Sequence, residues 1–220
     1  MVVGPLAPVD RWTIAYAAFA SLAILDRWPR PVPLPPLLLI GHAALVLLAV
    51  LASALRRRRR VARFVGEFYA LAGAPLLYGA IGVLNTAAGV AHDAAVQGWE
   101  QAIFSAQPSR EWIRQEPWPA LSAVLHAGYL SYYFVVAAAP LGLWISGRRD
   151  GARRTIALSV AAFYLCYVVF LMFPVAGPRY VFPPAENAAA AVVPARIARA
   201  LLEAGSAWGT AFPSSHVAVA

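Results

Sequence analysis

The stretch LPPLLLIGHAALVLLAVLASAL, Leu34–Leu55, is almost wholly aliphatic, and RRRRR, Arg56–Arg60, follows it without a break. As a helix it would be roughly 33 Å long at 1.5 Å per residue, about the thickness of a bilayer's hydrocarbon core. A surface helix of a soluble protein keeps a polar face; this stretch has none, so it reads as a transmembrane span. Short loops dense in arginine stay on the cytoplasmic side of a membrane. The Arg56–Arg60 end, with Arg63 just beyond it, is assigned there.

Outward from this span, the same reasoning predicts further spans over about Phe64–Ala91, Ala120–Ile145 and Thr155–Phe173. The loop SGRRDGARR, Ser146–Arg154, carries arginines at 148, 149, 153 and 154 and falls on the cytoplasmic side by the same rule. Counting crossings from these two markers puts the amino terminus inside and the segments Asp93–Pro119 and Val175–Phe212 outside. A shorter apolar stretch, Trp12–Leu25, reads as a first span with Asp26, Arg27 and Trp28 in the outer interface. Ala18-Phe19-Ala20 has the form of a signal-peptide cleavage site, but no basic segment precedes it, so no cleavage is expected. The proline-rich DRWPRPVPLPP that follows, residues 26–36, predicts an extended turn, because each ring fixes its own φ and disfavours helix in the residue before it. The predicted fold is all-α: a polytopic transmembrane helix bundle of five spans plus the start of a sixth. Residues 1–63 form an amino-terminal pair of spans, and residues 64–220 form the core.

Composition agrees. Of 220 residues 61% are hydrophobic and only 13% charged, with a mean hydropathy of +0.64, which excludes a cytosolic enzyme. The formal charge of +8 comes from arginine alone. In this setting it points to topology and anionic lipid head groups, not to nucleic acid. The absence of lysine suggests a GC-rich bacterial genome and so a bacterial plasma membrane. Cys166 is the single cysteine and lies in an apolar run, which excludes an intrachain disulfide and a thiolate metal site.

Two outer segments are predicted as surface helices. In HDAAVQGWEQAIFSAQPSREWIRQEPWP, Val96, Trp99, Ile103 and Ala106 share one face opposite Gln97, Glu100 and Gln101, with Trp112 and Trp118 as interface anchors. A second helix should begin with Pro194 in its first turn and stop at Gly205.

The last ten residues, AFPSSHVAVA, carry the chemistry. Pro213, Ser214 and Ser215 are helix starters, and the apolar residues after them look like a sixth span entered in its first turns. A helix beginning at the outer interface presents unpaired N–H groups and a positive dipole end, which suit an anion such as phosphate. His216 beside that anion could protonate a leaving oxygen. Arg179, in Gly177-Pro178-Arg179-Tyr180 just after the fifth span, would lie on the same side, where its planar fork matches phosphate oxygens. The two groups are expected to converge on one pocket away from the arginine-rich loops.

With these residues in place, FPSSH resembles the second signature of the type 2 phosphatidic acid phosphatase superfamily, and GPRY resembles the arginine end of its first. The chain is most similar to the inositol phosphorylceramide synthase-like, inositolphosphotransferase branch. Asp93, Glu100, Phe104 and Pro108 resemble that branch's outer-loop D…E…F…P pattern. The likeness is expected from about Phe64 onwards. It implies that Arg179 binds the phosphoryl group, that Ser214 and Ser215 complete the cradle, and that His216 acts as a catalytic proton donor. It implies a phosphohistidine intermediate, no metal and no other cofactor. The partners implied are membrane lipids and a phosphorylated lipid or alcohol substrate. The family's nucleophilic histidine belongs to a third signature downstream of the second, so the resemblance implies an enzyme as the full-length protein, with these 220 residues alone inactive. Met172 stands where the first signature has lysine, which fits the synthase-like branch better than the plain lipid phosphatases. A polyprenyl diphosphate phosphatase and a non-catalytic membrane scaffold or transporter are the alternatives.

Other ionisable residues are read more plainly. His42, His92 and His126 are expected to be hydrogen-bonded between helices, and Glu67 to pair with Arg63 one turn away. Tyr129, Tyr132 and Tyr133 are read as packing or interface residues, and Arg196 and Arg199 as snorkelling side chains.

Overall fold

A computed structural model describes residues 5–28 and 35–219. Its helices in chain order are α1 (Pro8–Arg27), α2 (Pro35–Leu55), α3 (Arg60–Ala88), α4 (Asp93–Phe104), α5 (Pro108–Gln115), α6 (Pro119–Ile145), α7 (Arg149–Met172), α8 (Pro178–Val181), α9 (Ala188–Ala191), α10 (Val193–Gly205) and α11 (Ser215–Val219). The described chain is an all-α bundle. Four helices, α2, α3, α6 and α7, are long and apolar enough to cross a membrane.

The predicted first span is the helix α1, which carries Asp10, Arg11, Asp26 and Arg27 and is less apolar than those four. The polar ends of α1 are tied into the bundle. Asp10 is fully buried; it takes two hydrogen bonds from Arg56, at 2.5 and 2.7 Å, one from the Tyr69 hydroxyl at 2.9 Å, and one from the Ala7 N–H at 2.9 Å. At the other end of α1, the Arg27 guanidinium donates to the Leu171 carbonyl at 2.6 Å. Most of the proline-rich turn between α1 and α2 lies outside the described residues.

Glu67 corrects one expectation. Its carboxylate accepts from Arg153 at 2.7 Å and Arg56 at 3.2 Å, while Arg63 donates to the carbonyls of Arg56 and Arg58. Burial decides this: Glu67 faces the interior, where Arg56 just past α2 and Arg153 on α7 bring guanidinium groups that satisfy it, while Arg63 on its own helix is engaged by backbone carbonyls. The pairing joins the two arginine-rich loops, so they lie at the same end of the bundle, as the alternating spans require.

Between the ends, the core is aromatic and small. Tyr16 stacks on Tyr164 with ring centroids 4.7 Å apart, and the Tyr167 hydroxyl donates to the Ala74 carbonyl at 3.0 Å. The outer segment predicted as one surface helix is two, α4 and α5. The chain turns between them at Ser105, whose φ is +53°, and Pro108 restarts it at the first position of α5, where a missing N–H costs nothing. The helix from Val193 to Gly205 has Pro194 in its first turn, as the sequence predicts.

Candidate phosphoryl site

The site is assembled at the end of α3 and α7 remote from the arginine loops. After α7 the chain turns through Pro174–Gly177, and α4 holds that turn from outside. The His92 N–H donates to the Pro174 carbonyl at 2.8 Å. The Asp93 carboxylate accepts from two successive backbone N–H groups, Ala176 at 2.9 Å and Gly177 at 2.7 Å. Phe173 lies parallel to both His92 and Trp99, at 4.2 and 5.7 Å between ring centroids. Gly177 has φ +92°, and a Cβ there would stand 2.6 Å from the Ala211 Cβ. Only glycine fits a position that is both left-handed and this crowded. The short helix α8 follows and presents Arg179. Its guanidinium lies 4.9 Å from the Tyr180 ring centre and, among the described residues, has no carboxylate partner.

The second segment runs parallel to this turn and is bonded to it. The Val175 N–H donates to the Gly209 carbonyl at 3.3 Å, and the Ala211 N–H donates to the Val175 carbonyl at 2.9 Å. Asn85, fully buried on α3, donates to the carbonyls of Phe170 at 3.0 Å and Gly209 at 3.3 Å, and the Tyr78 and Thr210 hydroxyls share a hydrogen bond of 2.7 Å. The chain then enters α11. The Ser214 hydroxyl accepts from the Val217 N–H at 3.3 Å, which is the N-cap expected of the Pro-Ser-Ser sequence. Ser215 is buried. His216 is enclosed by rings, 4.1 Å from Tyr132 and 4.6 Å from Tyr129 between centroids, with its Nε2 3.5 Å from the Tyr133 hydroxyl.

Arg179 and His216 thus come from segments bonded side by side, but they do not touch. Ser215 and His216 line an apolar cleft of about 840 Å³ between α3, α6 and α7. Arg179 lines a neighbouring cavity of about 420 Å³ under α10. Tyr129 and Leu202 line both. Ser214 lines neither cavity and is engaged in its cap.

Residues 95–220, more than half of the chain, match the PAP2 superfamily. The chain belongs to that superfamily. The match takes in α5 to α11 and nearly all of α4, and so both signature-like segments, but begins later than the Phe64 expected from sequence, leaving α3 outside it. No curated protein and no solved structure matches the chain.

Within this PAP2 protein the outer-loop pattern has physical work. Asp93 caps the turn before Arg179. Glu100 takes hydrogen bonds from the Ser109 N–H and hydroxyl, both at 2.7 Å, fixing the start of α5. The tyrosines read from sequence as packing residues enclose His216. Of the three histidines read as links between helices, two bond within their own: His42 to the Leu38 carbonyl at 2.8 Å and His126 to the Ser122 carbonyl at 2.8 Å. Their ring nitrogens reach the carbonyl four residues back more readily than a neighbouring helix. Asn85 had no role in the sequence reading, and Asp93 entered it only as part of the outer-loop pattern, because each acts on backbone more than 80 residues away. Among the described residues no three of His, Cys, Asp and Glu gather to hold a metal.

Proposed function

We propose that this PAP2 protein is an integral-membrane lipid-phosphate phosphatase or phosphotransferase working through a phosphohistidine, with its amino terminus cytoplasmic and its site on the outer side. The observation that carries the reading is the backbone pairing of Val175 with Gly209 and Ala211, which holds the Arg179 segment against the chain leading to His216. Arg179 binds the phosphoryl oxygens and stabilises charge on them as the bond to the leaving oxygen breaks. Ser215, buried beside His216, completes the cradle, and Ser214 caps the helix that carries both. His216 gives its proton to the leaving alkoxide, and a histidine nitrogen of the superfamily's third signature takes the phosphoryl group. Water or an alcohol then accepts that group and the histidine is regenerated. The likeness to the inositol phosphorylceramide synthase-like branch favours an alcohol acceptor.

The test is phosphate release, and transfer to added alcohol, from short-chain phosphatidic acid by the full-length protein in lipid nanodiscs. Arg179→Ala and His216→Ala should each lower turnover about 100-fold or more while leaving insertion intact. Wild-type rates in either variant would overturn the assignment.

A further inference from the structure

Where α7 ends, each N–H that would have prolonged it is absent or spent elsewhere. A further turn would bring the N–H groups of residues 174, 175 and 176 to the carbonyls of Phe170, Leu171 and Met172. Pro174 has no N–H to give. The Val175 N–H donates to the Gly209 carbonyl at 3.3 Å, the bond that draws the Arg179 and His216 segments together, and the Ala176 N–H donates to Asp93 at 2.9 Å. The helix therefore closes its own ladder only as far as Phe173, whose N–H donates to the Val169 carbonyl at 2.7 Å.

Side chains from two other helices stand in for the missing donors. Asn85 of α3 donates to the Phe170 carbonyl at 3.0 Å, and Arg27, the last residue of α1, donates to the Leu171 carbonyl at 2.6 Å through Nη2. Both residues are buried. A buried carbonyl left without a donor is costly, and the negative end of the α7 dipole favours a cation there. Without Arg27, the Leu171 carbonyl would compete for the Val175 N–H, its ordinary partner four residues on. Arg27 is presented by a helix that is itself held against α7: the Thr13 and Tyr164 hydroxyls share a hydrogen bond of 3.1 Å, and Ile24, one turn before Arg27, is fully buried.

We propose that Arg27 is a positioning residue for the phosphoryl site: by satisfying Leu171 it leaves the Val175 N–H to Gly209, and so fixes the turn that presents Arg179. Helix α1 lies outside residues 95–220, which match the superfamily, so this support comes from a part of the chain that the match does not include. The inference rests on the proposed function for what the turn does, and on geometry alone for how the turn is held.

The experiment reads the turn and the reaction separately, in full-length protein in lipid nanodiscs. Arg27→Gln ends at the position of Nε and loses the bond to Leu171; Arg27→Lys keeps the charge and reaches one atom further. In Arg27→Gln, hydrogen exchange at the Val175 amide should quicken about tenfold while amides in the middle of α7 keep their protection. With short-chain phosphatidic acid, kcat should fall about fivefold to tenfold and KM should change less. Arg27→Lys should recover part of both losses. Asp10→Asn, which weakens α1 at its other end, should leave Val175 exchange and kcat unchanged.

A folded Arg27→Gln that melts at a lower temperature but keeps wild-type exchange at Val175 and wild-type kcat would overturn the inference. So would an Asp10→Asn variant with the same losses, or a lysine no better than glutamine. Should Arg27→Gln not fold, the smaller changes expected of Arg27→Lys carry the test. A wild-type protein that releases no phosphate removes the catalytic reading and leaves Val175 exchange to decide this one. Turnover abolished by Arg179→Ala, with Val175 exchange untouched in Arg27→Gln, keeps the catalytic reading and removes this one.

Discussion

The Asp93 carboxylate lies 2.7 Å from the Gly177 N–H and 2.9 Å from that of Ala176, so the first residue of α4 fixes the turn two residues before Arg179. Hydrogen bonds to a charged acceptor contribute about 1.5 to 3 kcal/mol each. Asp93→Ala should therefore release the turn and lower turnover by about tenfold to 100-fold, while Asp93→Asn, which keeps one acceptor oxygen, should fall less. Rates at saturating and limiting substrate, measured beside the melting temperature, check this. A loss confined to thermal stability would show that the carboxylate supports the fold without positioning Arg179.

Gly177 meets Ala211 across the same junction. A Cβ at 177 combines a left-handed φ of +92° with a 2.6 Å approach to the Ala211 Cβ. Gly177→Ala should cost about 1 to 3 kcal/mol from backbone strain, with the steric clash in addition. Adding Ala211→Gly removes the clash and not the φ penalty, so the double variant should recover part of the loss. Equal melting temperatures for the single and double variants would show that backbone conformation alone sets the cost.

What could be read before the structure follows from how local each signal is. The spans α2, α3, α6 and α7 depend on runs of apolar side chains, and their predicted ends lie within a few residues of the observed ones except at the arginine-rich start of α7. Ser214 as a cap needs only its own neighbours. Glu67 was given the wrong partner because the correct one depends on three helices meeting. The cage around His216 is formed by tyrosines more than 80 residues earlier, and nothing in YLSYYF marks which ring will face it. The single predicted outer helix became two because Ser105 and Pro108 break the backbone, a local signal that amphipathic spacing across the break had masked.

At the arginine-rich end, Asp10 and Arg56 form a buried pair with two hydrogen bonds. Removing one partner of such a pair strands the other charge, at a cost of about 3 to 5 kcal/mol. Asp10→Asn should lower the melting temperature markedly, and Asp10→Asn with Arg56→Gln should lose less than the sum of the two single variants. Turnover measured below the transition should not change for Asp10→Asn, since the network is at the opposite end from Arg179 and His216. Additive losses would mean that each side chain is stabilised by other partners.

The cage around His216 separates two ways of holding an imidazole. The Tyr132 and Tyr129 rings pack against it at 4.1 and 4.6 Å between centroids, whereas the Tyr133 hydroxyl reaches Nε2 only at 3.5 Å, the outer limit of a hydrogen bond. Ring contacts of this kind contribute about 0.5 to 1.5 kcal/mol beyond burial. Tyr132→Ala should therefore lower turnover by up to about tenfold through loss of His216 alignment, and Tyr133→Phe should stay within about twofold because the bond it removes is already stretched. Single-turnover rates with short-chain phosphatidic acid compare the two directly. A Tyr133→Phe defect as deep as that of Tyr132→Ala would mean that the hydroxyl, and not the rings, holds the imidazole.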